Sequence, residues 1–230
     1  MFTLVVIRHG QSEWNLKKLF TGWTDVPMTE KGIAEAHQAG QLLKRDGYNF
    51  DLAYTSYLSR AIDTLDIVLD ELGQSDLEII KDWRWNERHY GALQGKNKEQ
   101  MAEEVGAEQV HLWRRSFDVP PPALDEADPR HASHEARYKD LSPEQIPETE
   151  SLKDVIARFM PLWNEDISPL IKQGKNIIIS AHGNTIRALA KHLENISEDE
   201  ITGLEIPTGV PLIYKLDDDL NLIERSFLEK

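Results

Sequence analysis

Two short stretches of this chain set an imidazole beside a glycine directly after an apolar run. Arg8-His9-Gly10 follows Leu4 to Ile7, and Ala181-His182-Gly183-Asn184 follows Asn176 to Ser180. A neutral imidazole attacks phosphorus without first losing a proton, provided its second ring nitrogen donates to an acceptor that fixes the tautomer. His9 is the candidate nucleophile on that ground. Arg8 and Arg60 offer planar, forked donors that match phosphate oxygens better than an ammonium does. His182, if protonated, adds a donor to the same oxygens, and a helix opening near Asn184 would turn backbone N–H groups and its positive end toward them. Preorganised donors of this kind dominate catalysis of phosphoryl transfer.

Glu87 is the candidate proton carrier. A hydroxyl that gains or loses a phosphoryl group must exchange a proton, and the segment from Asp82 to Lys98 is aromatic enough to desolvate a carboxylate. Arg88 acts in the opposite direction if it points at that carboxylate, and the sequence leaves the choice open. Taken singly, each motif has a plainer reading: a capped strand end, a salt-bridged glutamate, a helix-surface arginine. His131 and His134 have a helical spacing that suits a metal, but no carboxylate or cysteine framework joins them, so they read as residues of a solvated loop and no metal is expected. His37, His111 and His192 read as helix residues without a special role. Trp83, Trp85 and Trp113 read as core or pocket wall.

The elements that must position these groups alternate. Strands are predicted over Leu4 to Ile7, Leu52 to Thr55, Leu77 to Ile80 and Asn176 to Ser180, with a terminal hairpin of Leu212 to Leu216 and Leu220 to Phe227. Helices are predicted over Lys31 to Arg45, with Thr29 as its N-cap, and over Leu58 to Leu72, where Leu58, Ile62, Leu65, Leu69 and Leu72 form one apolar stripe. Further helices are expected over Asn97 to Val105, Gln109 to Phe117, Ser151 to Ile171 with a kink or break at Pro161, and Asn184 to Leu193. Between them, Asp118 to Thr149 reads as a long surface excursion that covers the site.

This pattern predicts an α/β protein, a mostly parallel central sheet covered on both faces as a three-layer α/β/α sandwich. Ligands bind such sheets beyond the carboxyl ends of the strands, so His9 and His182 are predicted to meet there. Residues 1–230 read as a single domain.

Composition narrows the partners. A net charge of -14 argues against nucleic acid or an anionic membrane. Arg8, Arg60, Arg84, Arg88, Arg114 and Arg115 nonetheless sit beside turns or aromatics, so a local positive pocket is expected inside a negative molecule. The absence of cysteine excludes thiol chemistry. No stretch is apolar enough to span a bilayer, and Phe2 to Ile7 is too short for a signal-peptide core, so a cytoplasmic location is expected.

Across nearly its whole length, in order, the chain resembles the cofactor-dependent phosphoglycerate mutases of the histidine phosphatase superfamily. The resemblance rests on RHGQSEWN (Arg8 to Asn15), FTGW.D (Phe20 to Asp25), YTS...RA (Tyr54 to Ala61), NERHYGALQG.NK (Asn86 to Lys98), WRRS (Trp113 to Ser116), AHGN (Ala181 to Asn184) and IPTGVPL (Ile206 to Leu212). It implies the histidine phosphatase fold and interconversion of 2-phosphoglycerate and 3-phosphoglycerate through a phosphohistidine at His9. The cofactor it implies is 2,3-bisphosphoglycerate, with no metal, and the assembly a homodimer or homotetramer.

Carried over by position, the resemblance makes Glu87 the general acid/base and His182 the transition-state stabiliser. Arg8, Asn15 and Arg60 then hold the transferring phosphoryl group. Ser12, Thr21, Gly22, Tyr90, Lys98, Arg114, Arg115, Gly183 and Asn184 hold the ligand's carboxylate and phosphates. Gln11 stands where many relatives have Glu, with no catalytic effect expected. The chain ends three residues past Phe227, where some relatives carry a tail over the pocket, and less complete exclusion of water is the expectation that follows. The rival readings are a phosphomonoesterase of the same superfamily and a catalytically silent phospholigand-binding protein.

Overall fold

The computed structural model describes residues 1–229. Along the chain run β1 (Phe2–Arg8), α1 (Glu13–Leu16), α2 (Glu30–Arg45), β2 (Leu52–Thr55), α3 (Ser59–Leu72) and β3 (Ile79–Lys81). Helices α4 (Lys98–Val105), α5 (Ala107–Arg115), α6 (Leu152–Leu162) and α7 (Ser168–Lys172) follow. The chain closes with β4 (Ile177–Ala181), α8 (Gly183–Glu194), α9 (Glu198–Ile201), β5 (Pro211–Leu216) and β6 (Leu222–Phe227).

The strands form one mixed sheet in the order β3-β2-β4-β1-β5-β6. The first four are parallel, while β5 runs antiparallel to both its neighbours. Alternation along each strand sends side chains to opposite faces. Val5, Ile7, Ala53, Ile178 and Ile213 pack against Ala39 and Leu43 of α2 and Leu65, Val68 and Leu69 of α3. Leu4, Val6, Tyr54, Ile177, Ile179 and Tyr214 face the other way, onto Val155 and Phe159 of α6 and Leu189 of α8. The predicted three layers are therefore present.

The register explains why two distant histidines share one edge. Strands β1 and β4 are adjacent and parallel, with Arg8 opposite Ala181, and His9 N donates to Ala181 O at 3.0 Å. Both strands thus end level, and the residue after each is an imidazole.

Three expectations need adjustment. Helix α6 runs through Pro161 without breaking; the disruption comes just after it, as a π turn over Trp163–Ile167 in which Ser168 N donates to Trp163 O. The widened turn lies directly before Pro169, which has no N–H to give the carbonyl one helical turn back. His131 is buried rather than solvated. The excursion after Asp118 is built of 3-10 turns, and its Ala132 and Tyr138 pack on Trp23, flanked by Tyr57 and Trp83. No helix among the described residues is long and apolar enough to cross a membrane.

Candidate active site

At the carboxyl ends of β1, β2 and β4 lies a cavity of about 220 Å³. Its wall contains Arg8, His9, Asn15, Thr21, Gly22, Arg60, Glu87, Tyr90, Lys98, Arg114, Arg115, Gly183 and Asn184. Of the residues assigned to catalysis or ligand binding from the sequence, Ser12 and His182 alone do not line it. Residues 118–149 contribute nothing to this wall, so the excursion braces the aromatic cluster behind the site instead of covering the mouth.

His9 donates from Nδ1 to its neighbour's carbonyl, Gly10 O, at 2.7 Å, which leaves the Nε2 lone pair free. His182 stacks at a tilt behind it, ring centroids 5.0 Å apart. Burial pushes both imidazoles well below the ordinary pKa, and the Arg60 and Arg8 guanidinium groups push the same way. Both are consequently neutral at neutral pH. The cationic His182 entertained from the sequence is not what the fold builds, because a buried imidazole beside two guanidinium groups does not hold a second proton.

The guanidinium groups are fixed by backbone carbonyls. Arg8 Nη1 donates to Ile206 O at 2.7 Å, while Arg60 donates to Thr24 O and Gly22 O at 2.9 and 2.8 Å. Burial lowers Arg60 to about 10, which still leaves it charged. The bend at Gly22 requires glycine: φ is +57°, and a Cβ there would lie 2.1 Å from Gln94 Oε1. Gly10 is equally constrained, since a Cβ would meet Gly32 O at 2.1 Å.

Glu87 is held at one end only. Its Oε1 accepts from Arg88 N, Asn184 N and Asn184 Nδ2 at 2.8, 3.1 and 3.0 Å, while Oε2 accepts no hydrogen bond among the described residues. The first-turn amide of α8 therefore serves Glu87, where the sequence suggested an anionic ligand. Behind it, Trp23 Nε1 and Arg158 Nη2 donate to Glu87 O at 2.7 and 3.1 Å. Arg158 forms a buried ion pair with Glu150 at 2.6 Å. Arg88 turns away from the Glu87 carboxylate, stacks on Tyr90 and donates to Trp113 O and Arg114 O. It thereby caps the end of α5 that presents Arg114 and Arg115.

Of the six arginines noted beside turns or aromatics, several of which were expected to converge, Arg8, Arg60, Arg114 and Arg115 line the cavity, whereas Arg84 pairs with Asp82 and Asp166. Arg187 and Glu205 complete the wall and were not foreseen. A signal for Arg187 existed, since it lies one helical turn beyond Asn184 and so shares its face; its Nη1 donates to Asn184 Oδ1 at 3.2 Å. Glu205 pairs with Arg115 and lies 3.8 Å from Arg187. Ser12 sits under the wall and forms a capping box with Asn15, holding that side chain in place.

The model of the histidine phosphatase superfamily, branch 1, matches residues 4–132 and 123–227. The chain belongs to the histidine phosphatase superfamily. Within this superfamily it is 54% identical over 99% of its length, and 92% of the relative's, to the 2,3-bisphosphoglycerate-dependent phosphoglycerate mutase of Borreliella burgdorferi strain ZS7. The enzyme of the same name from Borreliella afzelii strain PKo is 55% identical over the same shares. Among solved structures, a mycobacterial glucosyl-3-phosphoglycerate phosphatase is similar with a TM-score of 0.74 at 23% identity, covering 99% of this chain and 98% of that one. A phosphoglycerate mutase from Bacillus anthracis strain Sterne is similar with a TM-score of 0.67 at 23% identity, covering 96% and 90%. These likenesses confirm the histidine phosphatase fold.

Proposed function

We propose that this chain interconverts 2-phosphoglycerate and 3-phosphoglycerate through a phosphohistidine on His9. The observation that carries the reading is one cavity in which the free Nε2 of His9 shares walls with the carboxylate of Glu87 and with Lys98, Arg114 and Arg115. The name borne by relatives more than half identical over almost the whole chain supports it.

When bound, 2,3-bisphosphoglycerate supplies the phosphoryl group that loads His9. The donor set fits so anionic a molecule: six cations line the cavity, Arg8 Nε among them is buried without a partner, and so is His182 Nδ1 in the ring behind His9. His9 Nε2 directs its lone pair at phosphorus as the bond from phosphorus to the ligand's oxygen breaks. Glu87, through its free Oε2, gives that oxygen a proton. In the return step Glu87 takes a proton from the attacking hydroxyl, and the electron pair of the P–N bond returns to His9. Arg8, Asn15, Arg60 and His182 hold the transferring oxygens, where charge spread over them is stabilised without reorganisation. Thr21, Gly22, Tyr90, Lys98, Arg114, Arg115, Gly183 and Asn184 hold the remainder of the ligand, and Ser12 acts through Asn15. The working form in this reading is a single-domain, cytoplasmic protein assembled as a homodimer or homotetramer, which light scattering after gel filtration checks.

The deciding experiment is turnover of 3-phosphoglycerate with and without trace 2,3-bisphosphoglycerate. Stimulated formation of 2-phosphoglycerate is expected; inorganic phosphate as the main product sinks the reading in favour of a phosphomonoesterase. His9→Ala abolishes turnover, and a retained rate removes the nucleophile assignment.

A further inference from the structure

Strands β2 and β4 are parallel neighbours with Thr55 opposite Ser180, so the residues just beyond them also lie side by side. Ser56 is fully buried there, its Oγ 2.8 Å from His182 Nε2. Leu58 N donates to the same oxygen at 3.1 Å. The Ser56 hydroxyl thus already accepts one hydrogen bond, and its own hydrogen finds no acceptor among the described residues other than His182 Nε2. The second ring nitrogen, Nδ1, is buried without any partner.

Two neutral tautomers fit this frame, and counting hydrogen bonds separates them. With the proton on Nε2, the ring donates to Ser56, and both the Ser56 hydrogen and the Nδ1 lone pair are left unmatched. With the proton on Nδ1, the serine donates to Nε2 and one group alone is left over, a buried N–H. Leaving a polar group buried and unmatched costs about 1–3 kcal/mol, so the second arrangement is favoured.

We propose that Ser56 is a positioning residue for the reaction: by donating to Nε2 it holds the His182 proton on Nδ1, where it is offered to the phosphoryl group on His9. The remaining orphan is then a donor kept for the ligand. Arg8 Nε, likewise buried and unpartnered, is a second. A neutral imidazole serves as a hydrogen-bond donor here with no need of a positive charge, which its surroundings oppose. This role rests on the phosphoryl-transfer reading given above, but the tautomer itself does not.

The test is a long-range ¹H–¹⁵N correlation spectrum of protein labelled with ¹⁵N-histidine, recorded near pH 7 without added ligand and assigned with His182→Gln. His182 is expected to show a protonated Nδ1 and an unprotonated Nε2; the reverse overturns the proposal. Ser56→Ala is expected to move the proton toward Nε2 and to lower kcat about 10- to 100-fold with little change in KM, the range typical of lost outer-shell orientation. An unshifted tautomer or an unchanged kcat in that variant removes the positioning role. Because the spectrum needs no substrate, release of phosphate from 3-phosphoglycerate, which would end the mutase reading, leaves this result independent.

Discussion

Asn184 binds Glu87 twice, through its backbone N and through its side-chain Nδ2, and both bonds fall on the same carboxylate oxygen, Oε1. The other oxygen is left to face the cavity. A carboxylate clamped on one side and free on the other is built to move a proton at a fixed point.

Replacing Glu87 by Gln keeps the shape of that clamp's acceptor and removes the proton carrier. Turnover in the direction of 2-phosphoglycerate is expected to fall by about 100- to 10,000-fold, the usual contribution of general acid–base catalysis. Steady-state kcat measures it, and circular dichroism confirms that the fold persists.

Tyr90 gives the pH profile an alkaline limb. Burial opposes its ionisation, but the Arg88 guanidinium 4.6 Å above the ring and nearby Lys98 prevail and bring the hydroxyl down to about 8. Above that pH a phenolate faces an anionic ligand, so KM is expected to rise between pH 8 and 9. In Tyr90→Phe the rise disappears.

Glu205 occupies the cation that a ligand needs. Its carboxylate is 69% exposed and pairs with Arg115, so water screens the pair and its worth is small, about 1 kcal/mol or less. Glu205→Gln frees Arg115 and is expected to lower KM by up to roughly fivefold with kcat retained. An unchanged KM would show that the carboxylate swings clear at no cost.

Stability carries the signature of three buried neutral imidazoles. Burial lowers His9, His182 and His89, the last to about 3 with His131 and Arg158 adding to the effect. The unfolded chain takes up these protons first, near pH 6.5, so stability is complete above that pH and is lost as pH falls toward 3. Each histidine contributes a slope of about 1.4 kcal/mol per pH unit once below its unfolded value. Urea midpoints from pH 7 to 5 should fall accordingly, and His89→Gln should flatten the slope by one proton.

Breaking the Arg158–Glu150 pair tests the support behind Glu87. Arg158→Met strands a buried carboxylate, for which about 3–5 kcal/mol of destabilisation is expected. It also releases the carbonyls of Arg84, Asn86 and Glu87. Thermal melting reads the first effect and kcat the second.

What the sequence made legible was the alternation of strands and helices and the two imidazoles at strand ends, because both follow from local periodicity. The cavity wall was legible through resemblance, down to Arg114 and Arg115. Arg158 and Glu150 were not, since their partners are backbone carbonyls and amides some 60–75 positions away, and no local pattern marks a side chain that bonds to main chain. Glu205 escaped for a related reason: an acidic residue inside a pocket for anions runs against the charge logic that found its neighbours. The excursion was misread as a cover because length and irregularity say that a loop exists, not which side of the site it joins.

That side matters. Tyr138 of the excursion accepts a hydrogen bond from Asn86 Nδ2 at 2.9 Å, one residue before Glu87. Sequence drift in a stretch outside the cavity wall is thereby tied to turnover, so a mutational scan should find activity defects scattered through a region that the wall residues alone would score as bystander.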